Sequence, residues 1–166
     1  MNLYWLIQAA AYISLVIFII PVNYIRKLVP YSVIAGIIYT LVVQYTAINI
    51  LDLWNYNAPL LPVFDIPIFF VLSWFAVTKL YGYFLLKYPY YQVHILIVFV
   101  LFTIFNNYVS YNNEQIVFLN WSLTETFMFA LFSHVILLYL LKYLYKINEL
   151  GAKEDMVNLF YKVRKE

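Results

Sequence analysis

Apolar residues fall in five long blocks, separated by short polar or proline-containing breaks. The blocks cover about residues 3–20, 31–51, 64–84, 91–110 and 120–142. A helix needs about 20 apolar residues, at ~1.5 Å each, to cross the ~30 Å hydrocarbon core of a bilayer. The pattern therefore predicts an all-α polytopic transmembrane helix bundle of five spans, forming one domain over residues 1–151. Pro21 and the polar run through Arg26 and Lys27 end the first block, and Pro30 punctuates the connector. The connector DLWNYNAPLLP follows the second block. The third begins FDIP, where Asp65 is placed to cap the helix and Pro67 fits its first turn.

The last block, LNWSLTETFMFALFSHVILLYLLK, opens near a tryptophan and closes on Lys142, and its helix is expected to run on towards Gly151. Residues 152–166 carry Met156, Leu159, Phe160 and Val163 at helical spacing among basic residues. They read as an amphipathic tail on the inner leaflet.

Charge gives the orientation. Arg26 and Lys27 mark the first connector, Lys87 the third, and Lys142, Lys146, Lys153, Lys162, Arg164 and Lys165 the tail. Lys79 is expected to reach out from the end of its span. Connectors two and four have no Lys or Arg. Cytoplasmic loops favour basic residues, so the N-terminus is expected outside and the C-terminus in the cytoplasm.

Composition narrows the class. The chain is 66% hydrophobic and 11% charged, too apolar for a soluble fold of 166 residues. The bilayer is the expected solvent and partner, in a multi-pass cell-membrane protein. Net charge is only +2, which argues against nucleic-acid binding. The 18 tyrosines suit the membrane–water interfaces. The absence of cysteine removes disulfides and thiolate chemistry. The first block lacks a basic n-region and reads as a retained span. Heavy use of Ile, Asn, Tyr, Phe and Lys fits an AT-rich bacterial genome.

Polar residues inside the blocks are the candidate chemistry, because buried polar groups in lipid need partners. Gln8, Gln44, Asn106, Asp65 and Glu125 fall in the expected outer half and are candidates for one polar pocket. Paired carboxylates would suit cation or proton handling. His94 and His134 lie at similar inner depths and are a candidate proton-sensitive pair, short of the three ligands a catalytic zinc site uses. Glu125 and His134 are nine residues apart and face opposite sides of their helix. Ser32, Gly36, Thr40 and Gln44 form a small and polar stripe at i, i+4 spacing, and Thr126, Ala130 and His134 form another. Both stripes suit close helix packing.

No Gly-rich phosphate loop, HExxH or GxSxG is present, and no metal or cofactor is implied. The motifs LDLWNY at 51–56, KYP at 87–89 and NWS at 120–122 resemble a family of small, uncharacterised polytopic membrane proteins of Gram-positive spore-forming bacteria. That resemblance implies no activity. A looser similarity is to small carotenoid-cyclase membrane domains, through Asp65 and Pro67 at a span start, where that family has a richer acidic pattern.

The expected function is a non-enzymatic accessory or sensing membrane component, with a membrane-protein partner or a second copy as its contact. The alternatives are a small transporter or ion-handling subunit using Asp65 and Glu125, and a membrane-embedded lipid or isoprenoid enzyme. An aromatic-lined cavity would favour the last, and a polar cavity joining Glu125, Asp65 and Gln44 the transporter.

Overall fold

A chain in lipid must satisfy its own backbone hydrogen bonds, and the apolar blocks do so as helices. The computed structural model describes residues 3–146. Helix α1 (Tyr4–Ile19) is followed, across Pro21, by the short α2 (Val22–Lys27). Helices α3 (Val29–Ser32) and α4 (Tyr39–Tyr45) are joined by a π-helical stretch, Val33–Ile38. A second π-helical stretch, Thr46–Ile50, completes one rod over Val29–Ile50. Helices α5 (Ile68–Lys87), α6 (Gln92–Asn112) and α7 (Leu123–Tyr145) follow. Among the described residues, four helices are long and apolar enough to cross a bilayer: Val29–Ile50, Ile68–Lys87, Pro89–Asn112 and Leu123–Tyr145. Helix α1 has 16 residues and is a shorter apolar helix.

Helix α5 is the centre. It carries buried residues around its circumference, among them Phe70, Val71, Ala76, Tyr81 and Leu85. Helix α1 runs parallel to it: Trp5 meets Phe70 edge-on at 5.1 Å, and Tyr24, just beyond α1, meets Tyr83 at 5.5 Å. On another face the rod presses close. A Cβ on Gly36 would stand 2.5 Å from Phe75 Cα and 2.6 Å from Thr78 Oγ1. Only glycine permits that approach, and it lies in the first π-helical stretch. Ser32, Thr40 and Gln44, on the same stripe, are buried as well.

Tyrosines tie the helices together. Tyr81 donates to the His134 carbonyl at 3.0 Å, and Tyr31 donates to the Leu137 carbonyl at 3.3 Å. Tyr145, at the end of α7, donates to the Lys27 carbonyl at 2.6 Å. The phenols so used are helix cross-links as much as interfacial anchors.

The polar connectors are structured. Strand β1 (Trp54–Tyr56) pairs antiparallel with β4 (Ile116–Phe118), in the register Trp54↔Phe118, Asn55↔Val117 and Tyr56↔Ile116. Between them in sequence, β2 (Pro62–Val63) and β3 (Ile66–Pro67) form a small hairpin. The β1–β4 pair roofs one end of the bundle, and Asn120 Nδ2 fastens it to the Asp52 carbonyl at 3.1 Å.

This hairpin corrects the reading of Asp65. The residue is exposed, with φ 64°, in the β2–β3 turn. Pro67 occupies the N-cap position of α5, and no side chain caps that helix. The later helix start also corrects Lys79. It is the twelfth of the twenty residues of α5 and only 4% exposed, not at the end of a span. Its ammonium lies 4.1 Å from the centroid of the Phe75 ring, a cation–π contact.

At the other end α7 stops at Tyr145, with Lys146 in the left-handed conformation at φ 53°. The expected continuation to Gly151 and the amphipathic tail of residues 152–166 lie outside the described residues.

Candidate functional site

Beneath the β1–β4 roof is a narrow cavity of about 70 Å³, open at its mouth. The rod, α5, α6 and α7 wall it. Its surface is chiefly aromatic, with Tyr39, Trp54, Tyr56, Trp74, Trp121 and Phe129 among the lining side chains. Small residues on the facing helices leave the space, notably Ala35 on the rod and Ala130 on α7. An aromatic lining with a few placed polar groups is the character of pockets that hold small, mostly apolar ligands.

The polar groups are placed by local bonds. Gln44 Oε1 accepts from Trp54 Nε1 at 3.0 Å and from the Tyr56 hydroxyl at 2.8 Å. These bonds join the rod to the roof and leave the Gln44 Nε2 hydrogens as donors. Burial pushes the Tyr56 phenol well above its usual 10.0, so it stays neutral. On the facing wall the Tyr39 hydroxyl donates to Ser133 Oγ at 2.9 Å, and Trp121 Nε1 donates to Thr126 Oγ1 at 2.9 Å.

His134 lines the inner part of the cavity and is 2% exposed. Its Nδ1 lies 2.8 Å from the Ala130 carbonyl, which can only accept, so Nδ1 carries a proton. In the neutral ring Nε2 is then an acceptor. Tyr81 packs edge-on at 5.2 Å, and Trp74 and Phe99 complete the surround at 6.4 and 6.5 Å. The expected partner is absent from this environment. His94 is exposed in the first turn of α6, against Tyr91 at 5.9 Å, and the two histidines form no pair.

A smaller chamber, about 20 Å³ and so with room for little more than one polar atom or a water, lies between α1, α5 and α6. Here Asn106 Oδ1 accepts from Gln8 Nε2 at 3.2 Å and from the Tyr12 hydroxyl. Asn106 Nδ2 donates to the Phe102 carbonyl at 2.9 Å. Phe70, Trp74, Thr103, Asn107 and Ile116 line both spaces, so the chamber and the cavity share a wall.

The outer candidates thus divide. Gln44 belongs to the large cavity, and Gln8 and Asn106 to the chamber. Asp65 and Glu125 line neither, and both are exposed, which corrects the single acidic pocket. Glu125 is the third residue of α7 and the acidic residue of its first turn. Its backbone N–H donates to Ser122 Oγ at 3.3 Å. Ser-x-x-Glu at 122–125 has the spacing of a capping box, a signal present in the sequence. A carboxylate there also suits the helix dipole.

Trp54, Tyr56 and Trp74 are the site residues that sequence reasoning missed. Trp54 and Tyr56 sit in LDLWNY, where the polar context pointed to an interfacial loop. Among the described residues, no group of three His, Cys, Asp or Glu side chains is placed to hold a metal ion. Compared with protein-family models, with curated proteins and with solved structures, the chain gives no match.

Proposed function

We propose that the protein is a five-span cell-membrane component that binds a mostly apolar, amphipathic ligand in the cavity beneath the β1–β4 roof. It acts through packing with partners, not through catalysis. The observation that carries this reading is the aromatic cavity with the Gln44 amide and His134 on its lining. A bundle built only for its own stability would fill such a space, because unfilled apolar volume costs stability. A lipid or isoprenoid enzyme would use the same space. The binding reading is preferred because Ser133 pairs with Tyr39 and His134 Nδ1 with a backbone carbonyl, leaving no nucleophile–base pair. Ion handling through Asp65 and Glu125 loses its ground, since neither reaches the cavity.

In this reading α1 is the first span, the N-terminus is outside and the C-terminus is cytoplasmic. Helix α1 lies alongside α5 from Phe70 to the neighbourhood of Tyr83, which supports a crossing. Lys27 and Lys87 are the last residues of their helices and Lys146 caps α7, all at the end opposite the roof. Cysteines placed at the exposed Asn57 and Asn113 are expected to react with a membrane-impermeant maleimide on intact cells, and one at Lys87 is not. The reverse pattern overturns the topology.

The ligand reading is tested by native mass spectrometry of the detergent-purified protein. The wild type is expected to retain a co-purifying small apolar molecule that Ala130→Phe, which fills the cavity, loses. Identical spectra with equal folding remove the proposal.

A further inference from the structure

We propose that the chamber beside Trp5 is a second subsite of the cavity, and that it receives the carbonyl oxygen of a neutral ligand. The inference rests on the ligand-binding reading above and adds the chemistry of the ligand's polar end.

Trp5 carries it. The residue is 1% exposed, and its ring is held edge-on by Tyr4, Tyr56 and Phe70 at 4.9, 5.3 and 5.1 Å. Its buried Nε1–H has no acceptor among the described residues. An indole nitrogen can only donate, and a buried donor without a partner costs about 1–3 kcal/mol. Trp54 and Trp121 both satisfy the same group, on Gln44 and Thr126. Trp5 lines the chamber. The best acceptor there, Asn106 Oδ1, is already taken by Gln8 and Tyr12. The lining of the chamber therefore includes a residue whose buried donor lacks an acceptor.

The shared wall sets the chamber directly against the cavity. Phe70, Trp74, Thr103, Asn107 and Ile116 are what stand between a chain or ring in the large cavity and the chamber of Trp5. Charge then selects the ligand. Among the described residues, no Asp, Glu, Lys or Arg lines either space. A carboxylate or phosphate would be buried there without a counter-charge, at high cost. A carbonyl oxygen needs only the one donor that Trp5 supplies.

The test follows the indole N–H signals of the full-length, 15N-labelled protein in detergent. The Trp5 signal is identified by elimination with Trp54→Phe, Trp74→Phe and Trp121→Phe. The probes are 2-tridecanone, tridecane and tridecanoate, alike in length and different at one end. The ketone is expected to bind about five- to tenfold more tightly than the alkane, as one neutral hydrogen bond allows. It should move the Trp5 indole proton downfield and leave that of Trp54 in place. Trp5→Phe should abolish the preference, and the wild-type shift stands as a test even if that variant fails to fold.

Equal ketone and alkane affinities, both lost in Ala130→Phe, would overturn the subsite and spare the cavity. Tightest binding of tridecanoate would overturn the neutral-ligand assignment. A Trp5 signal already at a bonded position and unmoved by the ketone would mean that water alone occupies the chamber. Failure of all three probes, with Ala130→Phe unchanged from wild type, would remove the cavity reading and the subsite with it.

Discussion

The two ends of the bundle use apolar residues differently. At the basic end Leu28, Tyr31, Leu85, Leu86 and Leu141 are each fully buried and belong to one continuous core. At the roofed end the core is Trp5, Trp54, Tyr56, Phe70 and Ile116, and two spaces open beside it. The basic end interdigitates leucines with tyrosines, whereas at the roofed end rings meet edge to face beside the two spaces. On the ligand-binding reading proposed above, the basic end is the clamp and the roofed end the receptacle. Helix α5 joins them, from Phe70 at one to Leu86 at the other.

That comparison can be broken from the clamp side first. Gly36→Leu forces a side chain against the Phe75 backbone and should cost about 3 kcal/mol or prevent folding. Thermal unfolding in detergent measures it, and a neutral result would refute the close rod–α5 approach. Next comes the roof. Gln44→Leu strands the Trp54 N–H and the Tyr56 hydroxyl, at about 1–3 kcal/mol each, and should lower the melting temperature while unlatching β1.

Ser122→Ala removes the α7 cap and should cost about 1 kcal/mol. Glu125→Gln, which loses only a first-turn charge, should cost about 0.5 kcal/mol. A larger loss for Glu125 than for Ser122 would restore the glutamate to a special role.

The smallest expected effect is in alkali. The Tyr56 phenol is raised in the folded state, so above its usual 10.0 the unfolded chain releases that proton first. Stability should therefore fall as pH rises beyond about 10, and more gently in Tyr56→Phe. Parallel pH curves for the two proteins would show that Tyr56 is not buried.

Much of the helical framework is readable in the sequence, because a membrane helix declares itself by uninterrupted apolarity. The stripe from Ser32 to Gln44 is equally visible, since small and polar residues at i, i+4 have few uses in lipid other than packing. The roof is not visible. Three-residue strands carry almost no periodic signal, and Trp54 pairs with Phe118 across more than a third of the chain. Lys79 was misplaced because the third block counts residues 64–67 as helix, whereas the β2–β3 hairpin takes them out of it. His94 and His134 share a depth by counting, but counting rise does not fix which way α6 and α7 turn their faces.

The strand pairing also sets an order of assembly. The β4 strand and α7 are the last described elements made, and they supply half of the roof and one wall of the receptacle. Until α7 is in place, the space lined by Gln44, Trp54 and Trp74 lacks one of its walls. A chain stopped before residue 116 can hold much of its clamp but no receptacle. Closure of the roof thus waits on residues about sixty positions beyond the strand that they pair with.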